Sequence, residues 1–254
     1  MAAKRTILVD NGSLNPAATL RLRELAALVS KRLGHPVAPV SVLHSDKIDP
    51  VELGGERART FESYAREAKE SGCETLQVIP LFIGPSLALT EFLPELARKV
   101  GIGLEIAPTL GAADRIDALV DILADNLKST GWTPGAGTVL LCDHGSPIQV
   151  VTAVREDLAA RLRSKLGTQD LVGCAMERRE GTMYAFNEPM LADAIKRARG
   201  RTVVLMLFLL PGRHAGPGGD VATLCSQHAP GGLDWRLSPL IAEHRGVIDL
   251  LAGG

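Results

Sequence analysis

Short apolar runs alternate with longer amphipathic stretches along the whole 254-residue chain. In the first half, Arg5–Val9, Val37–Leu43, Thr75–Phe82 and Leu104–Ile106 read as strands. Ala17–Leu33, Arg57–Ser71, Leu89–Val100 and Ala113–Leu127 read as helices. Leu20, Leu22, Leu25, Ala26, Leu28 and Leu33, for example, recur at spacings that keep one helical face apolar. The second half repeats the order. Its expected strands are Thr138–Cys142, Leu171–Met176, Thr202–Leu209 and Leu233–Trp235, and its expected helices are Val150–Leu166, Pro189–Arg199, Gly219–His228 and Ile241–Leu251. Strands that alternate with helices of this length make βαβ units and a parallel sheet in each half. The fold class is therefore α/β, as two tandem flavodoxin-like domains.

The two halves also share residues. Val-Asp-Asn-Gly-Ser at 9–13 matches Cys-Asp-His-Gly-Ser at 142–146, after the first strand of each half. Pro-Leu-Phe-Ile-Gly-Pro-Ser at 80–86 matches Met-Leu-Phe-Leu-Leu-Pro-Gly at 206–212, after the third. A repeat of about 130 residues is too long for a solenoid and indicates duplication of a domain. The Gly/Pro-rich stretch at 129–137 is the expected linker, giving domains of 1–130 and 137–254.

Composition narrows the classes. With 46% hydrophobic and 22% charged residues the chain has a normal globular balance. A net charge of −1 supplies no basic field for nucleic acid or anionic membranes. The basic residues near Met1 lead straight into the strand-like run Thr6–Val9, so neither a signal peptide nor a membrane span is expected. Cys73, Cys142, Cys174 and Cys225 form no C-x-x-C pair, which fits a reduced, cytoplasmic protein using cysteine as small apolar filling.

In open parallel sheets, ligands bind beyond the carboxyl ends of the strands, where the strand order reverses. In the second half that point lies between Asp143-His144-Gly145-Ser146 and Pro211-Gly212-Arg213-His214. One histidine at a strand end is ordinarily a turn residue. Two at the two strand ends flanking a switch point suggest a site. The run Ala215–Asp220 that follows is glycine-rich; it makes a tight turn, or it lets backbone approach a flat ligand and exposes amides at a helix start. Its spacing and position do not fit a dinucleotide fingerprint. The segment Met176–Pro189 adds arginines, glutamates and aromatics on the same sheet edge. Glu177–Glu180 there reads first as a solvated charge run. Functionally, Arg178 and Arg179 would pair with ligand carboxylates and Glu188 would offer an oxygen ligand.

At these residues the chain resembles the class II, cofactor-independent sirohydrochlorin chelatases. The resemblance rests on His-Gly-Ser at 144–146 after a strand, on Asn187-Glu188-Pro189 opening the second helix, and on Phe-Leu-Leu-Pro-Gly-Arg-His at 208–214. It spans nearly the whole chain as two tandem chelatase domains. It implies a lyase of siroheme or cobalamin biosynthesis that needs no ATP and no cofactor beyond the substrate metal ion, Co²⁺, Fe²⁺ or Ni²⁺. It implies that His144 and His214 hold the metal and accept protons during insertion, with Glu188 as a further metal ligand. Ser146, Arg178, Arg179, Gly212 and Arg213 would bind the polycarboxylate macrocycle. Imidazole suits those metals, and histidine is the residue type that exchanges protons near neutrality. The first half departs from the pattern, with Asn11 in place of a histidine and Ala88 opposite His214. It is expected to have lost its chemistry and to survive as a structural partner, making the chain a monomeric pseudo-dimer with one site. The competing reading is a non-catalytic carrier of metal or tetrapyrrole descended from a chelatase. A hydrolase or phosphotransferase built on His144 is disfavoured, because no arginine precedes that histidine and the chain has no serine elbow or P-loop.

Overall fold

The computed structural model describes residues 3–216 and 218–253; Met1, Ala2, Pro217 of the glycine-rich run and Gly254 lie outside the described residues. The first sheet consists of β1 (Lys4–Asp10), β2 (Val37–Ser41), β3 (Thr75–Pro80) and β4 (Gly103–Ile106). The second consists of β5 (Val139–Asp143), β6 (Leu171–Ala175), β7 (Thr202–Met206) and β8 (Trp235–Leu237). All pairings are parallel, in the orders β2-β1-β3-β4 and β6-β5-β7-β8. The repeated sequence pattern thus becomes a repeated topology. In each sheet the order reverses beside the first strand of the half, β1 or β5, so the switch points fall where the matched loops lie. Every residue of β5 and β7 is buried, as expected for central parallel strands covered on both faces.

Helices α1 (Pro16–Leu33), α2 (Phe61–Glu70) and α3 (Leu93–Val100) belong to the first half. Helices α4 (Ile116–Ser129), α5 (Gln149–Leu166), α6 (Leu191–Lys196), α7 (Asp220–His228) and α8 (Val247–Ala252) follow. Helix α1 starts at Asn15, whose side chain accepts from the Ala17 amide at 2.9 Å, has Pro16 in its first turn and stops at Gly34, φ 75°. It buries Ala18, Leu22, Leu25, Ala26 and Val29. Helix α5 buries Thr152, Arg155, Leu158, Ala159 and Leu162 along the same kind of stripe. The first core gathers Ile7, Val9, Phe61, Leu76 and Leu93. The second gathers Leu140, Cys142, Ile195, Val204 and Cys225.

The sheets divide at the expected linker, whereas the flanking helices do not. The chain forms two compact units, one of residues up to 112 together with 248 onward, the other of Ala113–Val247. Helix α4, read from the sequence as the last helix of the first half, belongs to the second unit. There it packs on α5, with Arg161–Asp117 at 2.7 Å and Lys165–Asp121 at 2.6 Å across the seam. The linker is also tied down: Trp132 is buried, and its indole N–H donates to the Gly137 carbonyl at 3.0 Å.

Two expected helices are shorter. Asn187-Glu188-Pro189 does not open α6. Thr182–Asn187 is a 3-10 turn, Glu188 is extended (φ −66°, ψ 152°), and the Pro189 carbonyl accepts from the Ala175 amide beside β6. The expected helix Ile241–Leu251 is broken into a 3-10 turn, Ile241–Glu243, and α8. Between them His244 is extended, and its Nδ1 accepts the Gly246 amide, competing with a helical carbonyl. Among the described residues no helix is long and apolar enough to cross a membrane.

Candidate functional site

Strand β5 runs out in Asp143 and His144, and the chain turns sharply at Gly145. Gly145 has φ 93°, and a side chain there would run into the Glu177 carbonyl. Only glycine permits this close pass of the β5 and β6 loops. The turn is framed by buried polar contacts. Asp143 accepts the Gly145 amide at 3.0 Å and the Arg155 guanidinium at 3.1 Å. Arg155, with no exposed surface, also donates to the Asn187 carbonyl at 3.1 Å and to Glu156 at 2.9 Å. The Asn187 side chain accepts from the Ser146 amide at 2.9 Å and donates to the Ser146 carbonyl at 2.9 Å. Burial pushes the Asp143 carboxyl above its ordinary range, and Arg155 holds it back. Burial pulls the other way on Arg155, but its two carboxylate partners more than offset that, so it keeps its charge.

On this frame His144 meets His214, which comes from the loop after β7. Their ring centroids lie 4.8 Å apart at an interplanar angle of 74°. The expected convergence of the two histidines is present in the structure. His144 Nδ1 lies 3.2 Å from the Gly145 carbonyl and Nε2 lies 3.3 Å from Glu177 Oε1. Either neutral tautomer therefore points one ring lone pair at an oxygen. A proton on both nitrogens, or a metal cation at Nε2, removes that conflict. His214 Nδ1 lies 2.7 Å from Asp220 Oδ2, which also receives Arg213 Nε at 3.3 Å.

The remaining candidates are distributed around this pair. Glu188 is engaged by Arg178 at 3.2 Å, and it stands outside any helix, so a role as a charge at a helix start is excluded. Arg178 also donates to the Arg179 and Gly181 carbonyls. Arg179 is exposed, and Arg213 is 83% exposed. Ser146 is buried, and its hydroxyl accepts the Ile148 amide at 3.1 Å. The Gly212 amide approaches the Ala215 carbonyl at 3.4 Å. Among the described residues no three His, Cys, Asp or Glu side chains are gathered closely enough to hold a metal ion as they stand.

Sequence reasoning did not single out Glu177, Asp220 or Arg155. Glu177 had a usable signal: parallel neighbours end together, so the first two residues past β6, Met176 and Glu177, run alongside the loop that leaves β5, and the Glu177 amide donates to the His144 carbonyl at 3.1 Å. Behind the site, Cys142 and Cys174 face each other in register and Cys225 approaches from α7, all fully buried. The hydrogen bond to Cys174 and burial hold the Cys142 thiol far above its ordinary value, and burial pushes Cys225 up to about 12.

In the first unit Asp10, Ser13 and Thr19 occupy the repeat positions of Asp143, Ser146 and Thr152, but Leu22 stands where Arg155 would be. Asp10 Oδ1 is buried without a partner. Burial raises the carboxyl from 3.8 to about 6 despite hydrogen bonds from Ser41 and Gly12. Asn11 is exposed, and Ala88 opens the helical turn before α3, packed against the core.

The sequence matches no protein-family model and no curated protein. Solved structures do match. SirB from Bacillus subtilis with Fe³⁺ is similar at a TM-score of 0.69 and 15% identity, over 98% of this chain and 93% of that one. CbiX, the terminal enzyme for siroheme biosynthesis in denitrifying bacteria, gives 0.69 and 20%, over 98% and 96%. The sirohydrochlorin chelatase SirB from Bacillus subtilis subspecies spizizenii in complex with cobalt gives 0.62 and 17%, over 98% and 92%. The fold is that of the sirohydrochlorin chelatases. Within this fold the second unit brings His144 and His214 together at its switch point, and the first has Asn11 and Ala88 at the repeat positions.

Proposed function

We propose that the chain inserts a divalent metal, cobalt, iron or nickel, into sirohydrochlorin or a related tetrapyrrole without ATP, with His144 and His214 as the working pair. The reading rests on one observation: two imidazoles from separate loops meet at a switch point, one of them facing a carboxylate oxygen at 3.3 Å. A cation at His144 Nε2 turns the acceptor–acceptor contact with Glu177 into shared ligation. Imidazole and carboxylate together suit borderline divalent metals. The pyrrole nitrogens lose protons as the metal enters, and a ring nitrogen of His214 is the acceptor beside them. Glu177 is favoured over Glu188 as the oxygen donor, because Glu188 is already paired with Arg178. Arg179 and Arg213, with Arg178 once it is released from Glu188, supply partners for the macrocycle's carboxylates. Ser146 and Gly212 shape the two turns.

The test is anaerobic incubation with sirohydrochlorin and each metal in turn, followed by absorbance. Insertion should outpace the protein-free reaction. His144→Ala and His214→Ala should each lose roughly a hundredfold or more of that rate. Near-normal rates in both variants would overturn the assignment, and a rate equal to the protein-free one in wild type would favour the carrier reading. Glu177→Gln should weaken Co²⁺ binding, whereas Glu188→Gln should leave it unchanged.

A further inference from the structure

We infer that Asp220 is a positioning residue: it clamps the His214 ring so that Nδ1–H donates to the carboxylate and Nε2 is presented to the site, and Gly219 allows that clamp to close. The inference depends on the proposed chelatase reading only for what the presented nitrogen meets.

The contact is short, 2.7 Å from Nδ1 to Oδ2. A carboxylate oxygen accepts and cannot donate, so Nδ1 carries the hydrogen and the lone pair of the neutral ring sits on Nε2. A histidine held in this way by a carboxylate is fixed in tautomer and orientation and becomes a better donor to a metal. Asp220 is itself constrained. It begins α7, whose N-terminus favours negative charge, and Arg213 Nε reaches the same oxygen at 3.3 Å.

Backbone hydrogen bonds tie the start of α7 to the histidine. The Asp220 amide donates to the Arg213 carbonyl at 3.1 Å, and the Val221 amide donates to the His214 carbonyl at 3.2 Å. At Gly219, a side chain would sit 2.9 Å from the His214 carbonyl oxygen and 3.1 Å from that of Arg213. Any other residue there would force α7 away from the histidine. Gly219 thus serves a histidine–carboxylate clamp within the protein. The first unit supports this reading: where Ala88 replaces the histidine, the helical turn begins at once and no such loop intervenes.

The experiment uses the full chain, ¹⁵N-labelled and metal-free, at mildly alkaline pH, with the ring nitrogens of His214 assigned by comparison with His214→Gln. Wild type should show His214 as the Nδ1–H tautomer, and Asp220→Ala should move it to mostly Nε2–H. Asp220→Asn, whose amide oxygen still accepts, should keep Nδ1–H. In a parallel Co²⁺ titration followed by absorbance, Asp220→Ala should bind roughly ten- to a hundredfold more weakly, Gly219→Ala should approach that loss, and Asp220→Asn should lose less. An Nε2–H tautomer in wild type overturns the inference. So does Co²⁺ affinity in Asp220→Ala within twofold of wild type. Failure of tetrapyrrole insertion with the tautomer pattern intact would count against the proposed activity alone, since the tautomer is read without metal or macrocycle.

Discussion

Asp10 and Asp143 occupy the same place in the two repeats, yet only one has a counter-charge. Arg155 compensates Asp143, whereas Leu22 leaves Asp10 with a buried, partnerless oxygen and a pKa near the physiological range, about 6 against 3.8. The sign follows. The folded state holds this proton more tightly than the unfolded chain, so the contribution to stability is fully present below pH 4 and is lost as pH rises through 6. The difference is on the order of 3 kcal/mol. Asp10→Asn should flatten this pH dependence, raising the melting temperature at pH 7.5 while changing it little at pH 4; calorimetry across that range checks it. Gly145→Ala combines positive φ with a backbone collision and should cost about 3 kcal/mol or more, read by denaturant unfolding. At this scale the sequence was partly legible. His144 and His214 could be placed because strand ends flanking a switch point must converge. Asp220 could not, because its partner is set by the path of a glycine loop that has no periodicity to read.

The frame beneath the site is an assembly of elements. Arg155 projects from α5, Asp143 ends β5, and Asn187 closes the 3-10 turn before α6; the guanidinium joins all three. Arg155→Met should leave Asp143 buried and uncompensated and cost about 3–5 kcal/mol, with near-ultraviolet dichroism reporting loosening around the turn. The strands and their parallel order were readable from apolar runs of the right length alternating with amphipathic ones. Element ends were less so. Glu188 and Pro189 look like a helix start, but the Ala175 amide captures the Pro189 carbonyl and holds the segment beside β6. Likewise the apolar periodicity of 241–251 persists through His244, whose ring satisfies a backbone amide locally and interrupts the helix.

At the scale of the molecule, duplication was visible in the paired motifs, but the membership of the units was not. Composition marks 129–137 as a linker, and amphipathic faces do not say which sheet they cover; α4 belongs to the second unit and residues from 248 onward to the first. Leu250 and Leu251 are buried, and Asp249 pairs with Arg32 at 2.9 Å. Removing 248–254 should therefore lower hydrogen-exchange protection in β1–β4 and leave β5–β7 protected, which mass spectrometry of exchanged fragments resolves. The three thiols behind the histidines bear on a different property of the chain, its chemical selectivity. Cys142, Cys174 and Cys225 are all shut into an apolar interior, and burial holds the Cys142 and Cys225 thiols above their ordinary values, which withholds them as ligands, since a thiol binds metal as its thiolate. Soft, thiophilic ions such as copper(I) find no anchor there, and electrophiles that modify exposed cysteines should leave these three unreacted in the native protein. Under the proposed function, a metal meets the imidazoles of His144 and His214 and the Glu177 carboxylate rather than these thiols, a donor set from which an ion can still be passed on.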